Sequence, residues 1–224
     1  MAISRVGSAS VADAATITIP AGHKVGDMMI VFAFRDGSVT NPTIPSGWTN
    51  ITNTTDGTLC SVSMGYKRCT STAETSGTWT NASGLVCIVY RGAISSATPF
   101  GTLSAGSGST NTINYAARAL AASGVVGSSW FIAFAGHGSQ DTTIETAPTG
   151  MTALTNAAGA SVEVAGFDTN GLATGNWPST NVSITGTATN WQTIVIEIKA
   201  QGVAFENYKS FSGSGAGLTF TERI

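Results

Sequence analysis

The chain has 224 residues and a formal net charge of -2, and only 10% of its residues are charged, against roughly a quarter in an ordinary soluble domain. That length can bury a sizeable core as one large or two small domains, and the near-cancelling charges leave no basic field to hold nucleic acid. The neutral remainder is rich in Thr, Ser, Ala, Gly and Asn, a mix that disfavours long helices and suits strands and tight turns.

The opening stretch, MAISRVGSASVADAATITIP, lacks the basic start and continuous apolar core of a secretory signal, so synthesis in the cytoplasm is expected. No apolar run approaches the ~20 residues of a membrane helix, and no membrane partner is expected. In DMMIVFAFRDGS (27–38), Ile30, Phe32 and Phe34 alternate with Val31, Ala33 and Arg35, the period of a strand. IPSGWTNIT (44–52), SVSMGYKRCT (61–70) and GLVCIVYRGA (84–93) read as further strands, separated by turn clusters such as RDGS and NTTDG. The joining segment GAISSATPFGTLSAGSGST carries Ile94, Pro99, Phe100 and Leu103, which an exposed linker would not need. NTINYAARALAASG (111–124) is the one locally helical stretch, with a short TINY strand and a loop as the equal alternative.

The chain then repeats itself. SSWFIAFAGHGS (128–139), APTGMTALT (147–155), SVEVAGFDTN (161–170) and WQTIVIEIKA (191–200) echo the four earlier blocks in the same order. In the last of them Val195 and Glu197 alternate with Ile194, Ile196 and Ile198. Four matching blocks argue for internal duplication, with halves at about 14–93 and 111–200. Two small sandwiches, or one large sandwich in which each half contributes strands to both sheets, would both satisfy the pattern. The apolar joining segment favours one all-β, jelly-roll-like β-sandwich over residues 1–200. Residues 201–224 depart from the repeat and hold a flexible SGSGAG hinge ahead of Leu218, Phe220 and Ile224. An extended arm of this kind can add a strand to a neighbour's sheet edge; a frayed terminus is the plainer reading.

Chemistry has few parts to work with. The two histidines are His23 and His137, and GHGSQD sets His137, Ser139 and Asp141 on one loop. Triads are recognised by three-dimensional roles rather than crowding, and the first half has RDGS at this place, so a strand-ending turn is the expectation. The carboxylates Asp27, Asp36, Asp56, Glu74, Asp141, Glu145 and Asp168 are scattered, and the chain has no GxSxG, phosphate-loop, HExxH or EF-hand pattern. No catalysis, cofactor or metal is expected. Cys60, Cys69 and Cys87 show no CxxC spacing and read as small buried hydrophobes, a Cys60–Cys69 bridge being the minor alternative. Among the five tryptophans, Trp130 and Trp191 open apolar strands and belong in a core. Trp48 and Trp177 follow turns, so they are the rings expected at the surface for a sugar to stack on, although packing is favoured over ligand contact for both.

The succession VGDMMIVFAFRDGS, IPSGWTNI, MGYKRCTSTAET, GTWTNASG and VCIVYRGAI resembles a recurrent type of tailed-bacteriophage structural protein. That type runs from Gly-Asp and an apolar strand through Pro-x-Gly-Trp to a strand ending in an aromatic and a basic residue, then to an apolar strand closing in Tyr-Arg-Gly. The first half carries the pattern at Gly26, Asp27, Pro45, Gly47, Trp48, Tyr66, Lys67, Glu74, Tyr90, Arg91 and Gly92. The second half keeps Pro148 and Gly150, with Met151 for the tryptophan and Ile198-Lys199 for Tyr-Arg. The resemblance covers roughly residues 14–200 and leaves the arm unmatched. It implies a non-enzymatic virion protein, made in the host cytoplasm and carried on the capsid as a decoration or cement protein. Its partners would be the major capsid protein or other virion proteins and further copies of itself, trimers among the possibilities. The alternative it leaves is a host-recognition module on a tail fibre or tail tip, binding surface glycan.

Overall fold

The computed structural model describes residues 2–93, 99–121, 129–138, 146–184 and 189–200. Among the described residues the chain forms twelve strands and no helix. β1 (Ser4–Ala12), β2 (Met28–Asp36), β3 (Thr49–Thr55), β4 (Cys60–Arg68) and β5 (Gly84–Arg91) build one antiparallel sheet in the order β1-β5-β2-β4-β3. A second antiparallel sheet, β6-β12-β8-β10-β9, is built by β6 (Phe100–Gly108), β8 (Ser129–His137), β9 (Thr152–Ala158), β10 (Glu163–Asp168) and β12 (Trp191–Lys199). The short strands β7 (Thr112–Tyr115) and β11 (Thr180–Ser183) pair with each other.

The sheets carry the same strand order when β1, β2, β3, β4 and β5 are set against β6, β8, β9, β10 and β12. They face each other as a sandwich, with β1 over β9, β5 over β10, β2 over β8 and β4 over β12. Phe32 of β2 and Phe134 of β8 stack at its centre, 5.4 Å between ring centroids and 5° between planes. Around them Met28, Ile30, Phe34, Val62, Met64, Val86 and Ile88 meet Ile132, Val164, Ile194, Ile196 and Ile198 to form the dry layer between the sheets.

Each half keeps its strands in one sheet. This corrects the expectation that each half feeds both sheets, the exchange a jelly-roll-like body implies. The registers give the reason: β2 sits between β4 and β5, and β8 between β10 and β12, so every central strand finds both partners within its own half. The first sheet takes in β1, ahead of residue 14, and the second takes in β6, ahead of residue 111.

The outer faces are covered as well. Val31, Ala33, Leu85, Cys87 and Val89 point away from the central layer, into a cluster with Ile17, Ile19 and Trp79 from the flanking loops. On the other sheet Phe131, Ala133, Ala135, Phe167 and Val195 lie under the β7/β11 ribbon, Trp177 and Ile184. Burial on both faces explains why MMIVFAF and WFIAFA are continuous apolar runs, where a one-sided strand would alternate with polar residues. Within the described part of the 111–124 stretch, residues 111–121, the strand alternative is taken, with β7 at Thr112–Tyr115.

The two central strands are out of phase by one residue when aligned on their shared Gly-Ser. Phe34 then falls opposite Ala135, which faces the other side; the inward partner of Phe34 is Gly136. A side chain at Gly136 would overlap the Phe34 ring, so the glycine makes room for it. Gly136→Ala should therefore destabilise the fold by about 1–3 kcal/mol through overpacking. Chemical denaturation that gives the variant wild-type stability would show that the central layer has slack at this point.

Candidate functional site

The expected assembly residues Leu218, Phe220 and Ile224 lie outside the described residues, as do Ser139 and Asp141 of the GHGSQD loop. The tryptophans are placed in the structure. Trp177, expected at the surface, is only 5% exposed: it packs into the cover of the second sheet, and its Nε1 donates to the Thr149 carbonyl at 3.1 Å. The TGNWPST segment is drawn inward because Trp177 exchanges two main-chain hydrogen bonds with Arg118. One side of it borders a hollow of about 330 Å³ lined by Thr169, Leu172, Thr174 and Asn176. Trp48 is half-buried and meets the fully buried Trp79 edge-on at 5.4 Å. The structure does not bring Trp48 and Trp177 together; they cover opposite sheets.

Several other residues of the first-half pattern act as braces. Asp27 is buried, and Arg91 grips it with two hydrogen bonds, Nε to Oδ1 at 2.9 Å and Nη2 to Oδ2 at 2.7 Å. Burial alone would raise the Asp27 carboxyl; Arg91 and the Lys24 N–H outweigh it and hold the carboxyl below its ordinary range. Lys67 binds Glu74 at 2.6 Å, and Glu74 also accepts the N–H groups of Thr70 and Ser71, closing the loop after β4. Pro45-Ser46-Gly47-Trp48 forms a turn in which the Trp48 N–H donates to the Pro45 carbonyl, with Gly47 at φ 84°. Pro148-Thr149-Gly150-Met151 repeats it with Gly150 at φ 82°, the positive φ of a type II turn that glycine takes without strain.

Tyr90 leads to a feature that sequence reasoning missed. Its hydroxyl donates to Asp168 Oδ2 at 2.8 Å, and Arg5 Nη1 lies 2.9 Å from both oxygens of the same carboxylate. Asp168 is completely buried, so β1, β5 and β10 are tied across the two sheets by one charged cluster. Burial first, and then the Asp168 charge, push the Tyr90 hydroxyl well above its ordinary pKa and keep it a donor. The sequence signal was the Asp closing SVEVAGFD at the end of an apolar strand; its partner Arg5 sits in a segment with no apolar pattern. At the other end His137 and Glu163, both fully buried, approach to 3.5 Å, and the Asn156 amide donates to Glu163 at 3.3 Å. Asn190 and Gln192 reach across to Asp56, Thr58, Thr54 and Cys60.

The three cysteines are free and buried, as small hydrophobes; the Cys60–Cys69 bridge is not formed. Burial, then the nearby Glu74 charge, push the Cys69 thiol up to about 11. Among the described residues no group of three or more His, Cys, Asp or Glu side chains could hold a metal ion, and no helix is long and apolar enough to cross a membrane.

The sheet edges differ from one another. β1 lies against β9 with Ser8 Oγ on the Leu154 carbonyl and Ser10 Oγ 2.6 Å from Thr155 Oγ1. β6 is covered by the segment after β7, where Arg118 Nη1 donates to the Leu103 carbonyl and Ser104 Oγ to the Ala116 carbonyl. Among the described residues, β3 pairs with β4 alone. With this geometry in hand, comparison with known proteins adds no relative: no family model, no curated protein and no solved structure matches the chain.

The Lys67–Glu74 brace has a definite pH signature. Burial alone would raise the Glu74 carboxyl, but Lys67 and the Thr70 and Ser71 amides pull it from 4.5 down to about 2. A carboxyl lowered on folding adds stability that is present above 4.5 and is lost as the pH falls toward 2. The Thr70 and Ser71 amide resonances should then titrate with a midpoint near 2; a midpoint at the ordinary glutamate value would mean that the brace is not formed in solution.

Proposed function

We propose that this chain is a non-enzymatic structural protein of a tailed-phage particle, a decoration or cement protein on the capsid exterior. The observation that carries the reading is how the phage-like pattern is used. Asp27 and Arg91, Lys67 and Glu74, Trp48 against Trp79, and Tyr90 on Asp168 are all engaged in bracing the sandwich. A signature made of braces fits a rigid building block. The matched strand order of the two sheets and the repeated Pro-x-Gly turn support the further reading that the halves are duplicated copies. The partners are the major capsid protein or other virion proteins, together with further copies of this chain, and the C-terminal arm with Leu218, Phe220 and Ile224 is the attachment.

A second reading draws on the hollow beside Trp177. A host-recognition module on a tail fibre or tail tip would bind a surface glycan there, through Leu172, Thr174 and Asn176 along the edge of the Trp177 ring, or at Trp48.

Quantitative mass spectrometry of purified particles, referenced to the major capsid protein, separates the two. Hundreds of copies per particle are expected; a handful would move the protein to the tail and make glycan binding the question, and none would end both readings. Deleting residues 202–224 should leave a folded body that no longer decorates particles. A truncated chain that decorates as well as the intact one would remove the arm from the account.

A further inference from the structure

A terminal strand presents a row of unpaired main-chain groups, and folded proteins blunt such rows with charge, proline or cover. Three of the four terminal strands are covered by a neighbouring segment: β1 and β9 by each other, and β6 by the segment after β7 that carries Ala116 and Arg118. Outside its ladder with β4, β3 is held among the described residues only near its C-terminal end, by Asn41 on the Thr54 carbonyl and by the Thr54 hydroxyl on Gln192. Its sequence, TNITNTT, has no charge and no proline, and Thr49, Asn50, Asn53 and Thr55 are exposed. Apart from β4, its main chain receives a bond only from the Asn41 side chain at Thr54, among the described residues.

Among the described residues, the core beneath that edge is only partly covered. On the β1 side the sheets close on each other. Across from it, the strands related to β1 and β9 by the common topology are β6 and β3, and among the described residues no hydrogen bond joins these two. Ile51, Tyr66, Phe100 and Leu103 pack against the core there but are only partly buried, with Tyr66 and Phe100 meeting edge-on at 5.2 Å. A strand added beside β3, with an apolar residue at alternate positions, would complete both the ladder and the core.

We propose that this edge is the acceptor for the C-terminal segment Leu218–Ile224 of a second copy of this chain, added antiparallel to β3 with Leu218 and Phe220 turned toward Ile51, Tyr66, Phe100 and Leu103. The inference rests on the assembly reading above and names the surface that the arm engages. The direction of the strands, all paired antiparallel in both sheets, favours a second copy over the chain's own arm. β12 runs toward the end of the sandwich where Ala200 bridges Ala93, and β3 starts at that same end, opposite Tyr66. An antiparallel partner of β3 must enter from the far end. The chain's own arm would first travel the length of the sandwich, whereas an arm from a second molecule arrives without that detour. The stretch from Gln201 to Gly217 spans up to ~60 Å when extended, enough to bridge two such blocks.

Hydrogen exchange on the full-length protein at a series of concentrations tests this. Amides 49–55 should slow as the protein is concentrated, by about a hundredfold when the free chain stands at about 100 times its dissociation constant. Phe220→Asp, in the C-terminal segment, and Asn53→Lys, at an exposed position of β3, should each abolish that slowing while β2 and β8 keep their protection. Slowing that is independent of concentration yet lost in Phe220→Asp would assign the edge to the chain's own arm and overturn the second-copy proposal. Self-association with β3 amides still exchanging freely would overturn the choice of edge. Failure of the particle reading looks different: the chain would be missing from purified particles while this exchange pattern stood.

Discussion

The structure depends on keeping both faces of its two central strands dry. β2 and β8 each lie between two neighbours in the sheet, face the other sheet across the Phe32–Phe134 stack, and carry a second apolar row behind it. A sandwich of two sheets satisfies only one of those rows. The other must be roofed, and the connections supply the roofs: the Ile17–Ile19 segment with Trp79 over one sheet, and the β7/β11 ribbon with Trp177 over the other. The large indole of each roof also ties its loop down by a hydrogen bond, Trp79 Nε1 to the Ser76 carbonyl and Trp177 Nε1 to the Thr149 carbonyl. Tryptophan suits the task because one side chain supplies a wide apolar plate and a single donor that can be spent locally.

Such thorough burial restricts what polar groups can do. A charge inside this assembly is costly unless it is engaged, and the chain gives several of its buried charges partners across or beside the sheets. Arg5, Asp168 and Tyr90 fasten one end of the sandwich, Arg91 and Asp27 fix the loop beside it, and Asn190, Gln192 and Asp56 tie the other end. Removing one partner from the Asp168 cluster would leave a buried charge uncompensated, a far larger loss than an exposed ion pair represents. The braces therefore give the block its rigidity, and their sparseness leaves a surface of Thr, Ser and Asn with little charge to repel neighbours.

How much of this was readable in the sequence follows from which signals are local. Apolar runs broken by Gly, Asn and Asp clusters identify the central strands, and Pro45-x-Gly47 and Pro148-x-Gly150 mark turns whose geometry only glycine meets easily. β1 and β6 escape notice because their small residues, SRVGSASVA and FGTLSAGSG, carry no apolar period; they are strands through pairing with β5 and β12. The matching Gly-Ser endings misalign β2 and β8 by one residue, because facing direction is set across the sheets, where Phe34 requires Gly136. Trp177 looks exposed by its turn neighbours and is buried by Arg118, more than fifty residues away. The Asp168 cluster is illegible for the same reason: Arg5, Tyr90 and Asp168 share no local pattern.

A common topology leaves the two sides of the sandwich equivalent in outline, so their chemical differences reflect the separate choices of each half. On one side β1 supplies Arg5, Ser8 and Ser10, all spent on β9 and β10. Its counterpart β6 spends Ser104 and the Leu103 carbonyl on its own half instead. Glycine accentuates the contrast: Gly101, Gly106 and Gly108 of β6 lie so close to Glu197, Thr193 and Trp191 that no side chain fits. β6 is thus committed to holding its own sheet and roof together, and with it is lost the stitching that β1 gives the opposite side. What the described residues leave there is an uncharged strand at the edge of a partly covered core.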